Sequence, residues 1–161
     1  MTVKEYNYSV SNYADNVYRF VLKNLRNEEK AKDIVQDAFE KVWHKREKVD
    51  GAKAKSYLFT TAYRCMIDSI RREKKQGSWN EVQENSLFQH QVESDLNDVL
   101  EEALNRLPEL QRSLVLLRDY EGYDYKEIGE IANLSMSQVK VYIFRARKAL
   151  KDYLVSIEKV I

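Results

Sequence analysis

Proline and glycine are scarce in this chain, and that scarcity restricts its fold more than any other feature of the sequence. The 161 residues include one proline and four glycines. Sandwiches, barrels and glycine-rich phosphate loops depend on these residues at their turns. Hydrophobic residues make up 43% of the chain, which is enough to form a buried core. The sequence therefore predicts an all-α protein.

Apolar side chains recur at helical spacing in two groups, separated by a polar stretch in which the periodicity fades. The first group predicts three helices, over about 12–26, 28–48 and 55–75. Asn27 precedes two glutamates and is the expected cap of the second helix. We expect two small helical domains, over residues 1–76 and 95–161. An acidic linker over residues 77–94 joins them.

The C-terminal group contains the pattern of a helix-turn-helix. Asp124 and Glu127 predict a capping box at the start of a short helix, and Ser135 and Gln138 predict a second box at the start of a long one. Asn133 stands in the turn between them, and Asn tolerates the left-handed backbone conformation that such turns need. In such a unit the second helix can lie in the DNA major groove.

Charge is segregated along the chain, although the net charge is only +1. Residues 53–75 carry seven bases and two acids, and residues 135–151 carry five bases and no acid. Residues 77–105 carry seven acids and no base. Two basic helices separated by an acidic stretch favour nucleic-acid binding, and ordinary solvated helix faces are the alternative.

Both basic helices carry candidate contacts to nucleic acid. In the last helix, small polar groups and an amide near the N-terminus suit base edges, and Arg145, Arg147 and Lys148 suit phosphates. In the third helix, aromatic residues alternate with bases, which is the composition that single-stranded nucleic acid requires. We expect Phe59 in the core there, and for Tyr57 and Tyr63 both roles remain open.

Two stretches of the sequence resemble a known family. Residues 33–39 (Asp-Ile-Val-Gln-Asp-Ala-Phe) and 56–72 resemble conserved region 2 of bacterial RNA polymerase sigma factors. Residues 107–112 (Leu-Pro-Glu-Leu-Gln-Arg) and 125–150 resemble region 4. The two regions appear in order, and the segment between them leaves no room for region 3. That arrangement resembles the extracytoplasmic-function (ECF) subfamily of the sigma-70 family.

The resemblance implies a subunit that directs core polymerase to promoters. Without a visible signal peptide or membrane span we expect it in the cytoplasm, and without catalytic machinery we expect the chemistry to belong to the polymerase. It implies contact with the β′ clamp helices through Asp33, Gln36, Asp37 and Glu40. It implies recognition of the −10 element by Lys53, Lys55, Tyr57, Thr60, Arg64, Arg71 and Arg72. It implies contact with the −35 element through Ser137, Gln138, Lys140, Val141, Arg145, Arg147 and Lys148. Region 4 would also dock on the β flap, and an anti-sigma factor would be a further partner.

Some positions depart from the family pattern. Gly129 stands where Ala is frequent, and we expect it to loosen its helix by up to about 1 kcal/mol. Tyr142 stands where Arg is common, and Tyr63-Arg64 replaces a frequent Arg-Asn pair. These differences concern one phosphate contact and the capture of a −10 base.

The sequence predicts no catalytic group, no cofactor and no metal site. His44 and His90 lack partners at ligand spacing, and Cys65 lies on the apolar face of its helix. No segment has the length of apolar residues that would span a membrane. Two alternatives remain, a stand-alone helix-turn-helix repressor or activator and a small helical enzyme of nucleic acids. The acidic outer face of the helix over 33–39 favours the sigma factor, because a repressor does not need it.

Overall fold

The computed structural model describes residues 1–76 and 96–160. Every regular element within these ranges is helical, which confirms the all-α prediction. The N-terminal domain consists of α1 (Val3–Leu25), α2 (Glu28–His44) and α3 (Ala54–Gln76), with two single 3₁₀ turns between α2 and α3. The predicted linker over 77–94 lies outside the described residues.

Over the described residues 96–160, the C-terminal domain has four α-helices. They are α4 (Leu96–Arg106), α5 (Glu109–Val115), α6 (Tyr125–Ala132) and α7 (Met136–Val160). A wider π-helical turn, Leu116–Tyr120, continues α5. Gly122 then ends this segment with a positive φ of 78°, a backbone conformation that glycine adopts without steric cost.

Helix boundaries follow the side-chain caps. The side chain of Asn27 accepts from the backbone N–H of Lys30, as predicted. α1 begins nine residues before the predicted start, because Thr2 and Glu5 form a capping box that the apolar pattern did not reveal. α2 ends at His44, before the predicted Lys48, because its last turn tightens into a 3₁₀ turn.

The helix-turn-helix forms as the sequence predicts. Asp124 and Glu127 cap α6 reciprocally, and Ser135 and Gln138 cap α7 in the same way. Asn133 adopts the left-handed conformation with φ 58°. These caps satisfy backbone N–H groups at both helix starts, so the turn between α6 and α7 is fixed by its own residues.

Gly129 has a different role from the one expected. A Cβ atom at this position would lie 2.7 Å from the carbonyl oxygen of Leu134 and 3.8 Å from Cγ2 of Val139. The backbone N–H of Leu134 donates to the carbonyl of Gly129. Glycine therefore allows the turn to close tightly on α6, and this requirement outweighs its weak helix propensity.

One hydrophobic core runs through both domains. In the N-terminal domain Phe20 packs on Phe59, with their ring centroids 5.7 Å apart. Tyr123, from the segment before α6, packs edge-on against the same Phe59 at 5.3 Å. α3 and α6 lie against each other, and α1 lies against α5. The two domains are therefore in direct contact.

Candidate nucleic-acid and polymerase-binding surfaces

The outer face of α7 carries most of the predicted −35 residues. Val139, Ile143 and Ala146 fix the orientation of the helix, because they are buried against the rest of the domain. The exposed residues opposite them are Ser137, Gln138, Lys140, Val141, Arg145 and Lys148. The first turn is uncharged and the later turns are basic. Base edges can therefore be met near the N-terminus and phosphates further along.

Gln138 also caps the helix. Its Oε1 atom accepts from the backbone N–H of Ser135 at 3.0 Å, and the N–H of Gln138 donates to Oγ of Ser135 at 3.1 Å. The cap restricts the side chain to the start of α7. The amide of Gln138 is thus already oriented at the start of the predicted −35 surface.

Arg147 lies apart from the other predicted −35 residues. Its guanidinium forms a bidentate ion pair with Asp119, with Nε 3.1 Å from Oδ2. The hydrogen bond to Asp119 raises the pKa of Arg147. This pair ties α7 to the end of the π-helical turn, so Arg147 stabilises the domain in this arrangement.

The predicted −10 residues divide between two sides of α3. Arg64, Arg71 and Arg72 are exposed on one side, and Tyr57 and Thr60 lie half-buried on it. The hydroxyl of Thr60 donates to the carbonyl of Ser56 in its own helix. Lys53 is exposed in the 3₁₀ turn that precedes α3.

Lys55 faces the C-terminal domain. Its Nζ atom lies 5.0 Å from the ring centroid of Tyr123 and 5.9 Å from that of Tyr13. The structure therefore does not bring Lys55 together with Arg64 and Arg71. Phe59 is in the core, as predicted, and Tyr63 is also buried. Tyr57 is the aromatic residue of this group that retains partial exposure.

The exposed face of α2 carries the four predicted polymerase contacts. Asp33, Gln36, Asp37 and Glu40 are all exposed and follow one another at helical spacing. Ala31, Ile34, Ala38 and Val42 bury the opposite face. This amphipathic division leaves an acidic strip with no neighbouring element over it in the part of the chain that the structure describes.

A polar contact between the domains was not predicted from the sequence. Oγ of Ser113 donates to Oδ1 of Asn24 at 2.9 Å, and Nε of Arg112 donates to the same oxygen at 3.4 Å. Asn24 donates its amide to the carbonyl of Phe20 at 2.8 Å. Asn24 and Ser113 are both buried. Burial lowers the pKa of Arg112, because desolvation disfavours its charged form.

Helical spacing contained a signal for Asn24. Val17, Phe20 and Val21 form the buried stripe of α1, and position 24 continues that stripe. A polar side chain on an apolar face requires a hydrogen-bonding partner. Its partner lies 89 residues away, so the sequence did not indicate which residue it would be.

Ion pairs also join the two domains. Arg19 and Glu121 form a bidentate pair, with Nη2 3.0 Å from Oε2, and the side chain of Glu121 is 2% exposed. The longer pairs across the domain boundary are Lys23–Glu101, Arg26–Glu102 and Lys74–Glu109. α1 and α3 thus present bases to acids of the C-terminal domain, which complements the apolar contact at Tyr123.

Within the described ranges, no group of three His, Cys, Asp or Glu side chains is placed to hold a metal ion. Cys65 is buried, in agreement with its predicted place in the core. His44 is exposed at the end of α2, and His90 lies outside the described residues. No described helix has both the length and the apolar character needed to cross a membrane.

Comparison with known proteins gives consistent results for both domains. The family model "Sigma-70 region 2" matches residues 10–76, and "Sigma-70, region 4" matches residues 97–150. The ECF RNA polymerase sigma factor SigM of Bacillus subtilis (strain 168) is 32% identical over 86% of this chain and 88% of its own length. The RNA polymerase sigma factor SigV of the same organism is 27% identical over 88% of this chain and 86% of its own.

A solved structure shares the fold. It is the co-crystal structure of the sigma factor RpoE in complex with the anti-sigma factor NepR from Bartonella quintana. The TM-score is 0.77 at 24% identity, over 94% of this chain and 98% of that one.

Proposed function

This chain belongs to the sigma-70 family as an ECF-type RNA polymerase sigma factor that directs promoter-specific initiation, and we propose how its two domains divide that task. The N-terminal domain, over 1–76, binds core polymerase and the −10 element. The C-terminal domain, over 95–161, binds the −35 element and the β flap, and residues 77–94 link the two. The observation that carries this division is the exposed, progressively basic outer face of α7.

Recognition of the −35 duplex is assigned to α7. Ser137, Gln138 and Val141 lie in its first two turns, which a helix-turn-helix places over base edges. Lys140, Arg145 and Lys148 are exposed around them and suit phosphates on either side of the groove. Arg147 joins them only when its pair with Asp119 opens.

Recognition of the −10 element is assigned to α3 and the turn before it. Arg64, Arg71 and Arg72 form an exposed basic edge along the helix, and Tyr57 gives a ring beside it. Cations that follow phosphates, next to a ring on which a base stacks, suit a melted strand. Lys53 extends this edge, and Lys55 contributes after Tyr123 has moved away.

Binding of core polymerase is assigned to the acidic strip of α2. Asp33, Asp37 and Glu40 offer exposed carboxylates to a basic partner, and Gln36 offers an amide between them. Complementary charge between such a strip and its partner speeds association and fixes the register of the two surfaces. The contact with the β′ clamp helices is placed here.

The domains must separate before both promoter elements are bound. The −10 and −35 elements lie about 25 base pairs apart, which corresponds to about 85 Å of duplex. A compact chain of this size has a radius of gyration of about 15 Å. The closed arrangement is therefore a state that precedes promoter binding.

An anti-sigma factor is proposed as a further partner, and the cytoplasm as the place of action. The RpoE of the solved complex is bound to the anti-sigma factor NepR, and this chain shares its fold. Sigma factors are transcription initiation factors and not enzymes. The chemistry of RNA synthesis is assigned to the polymerase.

Reconstitution with core polymerase tests the proposal. The purified chain is mixed with core enzyme, and the complex selects duplexes from a random-sequence pool. We expect a stable complex, selected sequences with two separated conserved elements, and transcripts that begin at a fixed distance from them. If the chain selects DNA alone and does not bind core enzyme, it is a stand-alone DNA-binding regulator and the proposal is wrong.

A further inference from the structure

An apolar pair stands within the basic outer face of α7. Val141 and Phe144 expose 45% and 69% of their surface, and Phe144 is the most exposed large hydrophobic residue in the described ranges. Their neighbours on this face are Ser137, Arg145 and Lys148. Val141 and Phe144 are three residues apart, so their Cβ atoms lie about 5–6 Å from each other on one side of the helix.

The fold of the domain does not use this pair. α7 packs through Val139, Ile143 and Ala146, which lie on its other side. Isolated exposed apolar residues are ordinary on protein surfaces. Two neighbours in the middle of a face otherwise polar and basic are less ordinary. They indicate that whatever this face binds offers apolar groups among anionic ones.

DNA offers one apolar group at the base edges of its major groove, the C5 methyl of thymine. We propose that Val141 and Phe144 read thymine methyl groups in the −35 duplex and so set part of its sequence. This proposal rests on the proposed function of α7. Ser137 and Gln138 take the polar edges nearer the helix start, and Arg145 and Lys148 hold the phosphates.

The spacing of the pair limits where the thymines lie. Three residues of helix advance about 4.5 Å along its axis, and successive base pairs are about 3.4 Å apart. The two side chains thus face neighbouring base pairs, or base pairs separated by one. Both strands supply methyl groups to the same groove, so the thymines are on either strand.

Replacing thymine by deoxyuridine tests the proposal, because it removes only the methyl group. Duplexes selected by the reconstituted holoenzyme are made again with one thymine at a time replaced in the −35 element. We expect one or two positions at which the dissociation constant rises about fourfold, which is the effect of one buried methylene-sized group. Replacements at positions that α7 cannot reach should leave the dissociation constant unchanged.

Three variants connect the effect to the pair. Val141→Ser and Phe144→Ser should each bind the thymine and deoxyuridine duplexes equally at one of the sensitive positions. Val155→Ser is the matched control, because Val155 is 40% exposed on the same face but three turns further along. It should keep the full thymine preference. Thermal unfolding of each free variant, without core polymerase, checks that the fold is retained.

The outcomes separate this proposal from the proposed function. If the holoenzyme selects a −35 element but no deoxyuridine replacement weakens binding, the pair does not read methyl groups, although the function of α7 stands. If the Ser variants keep the thymine preference, other residues or DNA shape cause it and the proposal is wrong. If no −35 element is selected at all, both fail.

Discussion

The hydroxyl of Ser113 donates to Oδ1 of Asn24 at 2.9 Å, and this buried hydrogen bond joins the two domains. Arg112 directs its Nε at the same oxygen. A buried polar atom that loses its partner is costly, whereas the same atom in water is not. The contact therefore favours one register of the domains over others. It is expected to be lost whenever the chain opens.

Asn24→Ala should weaken the closed arrangement. The substitution leaves the Ser113 hydroxyl and the Arg112 guanidinium without their acceptor, at a cost of about 1–3 kcal/mol. Urea unfolding should show that loss, and small-angle X-ray scattering should show a larger radius of gyration. Asn12→Ala is the control, since exposed Asn12 donates to the carbonyl of Tyr8 in its own helix and lies away from the domain boundary. Equal behaviour of the two variants would mean that the domains are held by other contacts.

Reversing the charge of Arg19 should weaken the contact between the domains, and reversing the charge of Glu121 as well should restore it. Arg19→Glu sets two carboxylates against each other where the side chain of Glu121 is almost fully buried. We expect a loss of about 1 kcal/mol and a greater distance between labels placed on the two domains. Adding Glu121→Arg should recover most of the loss. Failure of the double variant to recover would contradict a pairwise interaction.

Gly129→Ala should destabilise the C-terminal domain, although Ala is the better helix former. The new Cβ would press on the backbone carbonyl of Leu134, which cannot move without opening the turn. The gain from helix propensity is at most about 1 kcal/mol, and strain of this kind costs about 1–3 kcal/mol. Chemical denaturation measures the net effect. Glu130→Ala, at an exposed neighbouring position, should change stability by less than about 0.5 kcal/mol.

Reversal of charge on α2 should affect polymerase and not DNA. The double variant Asp33→Lys with Asp37→Lys reverses two of the three charges of the acidic strip, and we expect the dissociation constant for core enzyme to rise by about tenfold or more. Glu47→Lys makes the same kind of change at an exposed site outside the strip. Unaltered core binding by the double variant would place the polymerase contact elsewhere.

Two arginine variants should separate the promoter elements. Arg145→Ala is expected to weaken binding of the −35 duplex and, if the contact is to phosphate, to lower the salt dependence by about one unit of slope. Arg71→Ala is expected to weaken capture of a single-stranded −10 oligonucleotide. Binding titrations of each variant on both templates measure this. Equal losses on both templates would refute the assignment of one element to each domain.

Local features were mostly predicted well where neighbouring residues decide them, and the Thr2–Glu5 capping box of α1 is the exception. The capping boxes at Asp124 and Ser135, and the left-handed Asn133, depend on residues within four positions of each other. The sequence also predicted the shared exposed face of Asp33, Gln36, Asp37 and Glu40, because helical spacing over about two turns relates them. The effect of Gly129 on stability was misjudged, because its close approach to the carbonyl of Leu134 arises only when the turn closes.

The sequence by itself determined that these helices form, the caps of α2, α6 and α7, the helix-turn-helix and the basic outer face of α7. Each follows from interactions within one or two turns of chain. Only the tertiary structure decided that Lys55 faces Tyr123, that Arg147 pairs with Asp119, and that Asn24 meets Ser113. These contacts join segments far apart in sequence. Their energies depend on burial, which arises only when the domains have packed together.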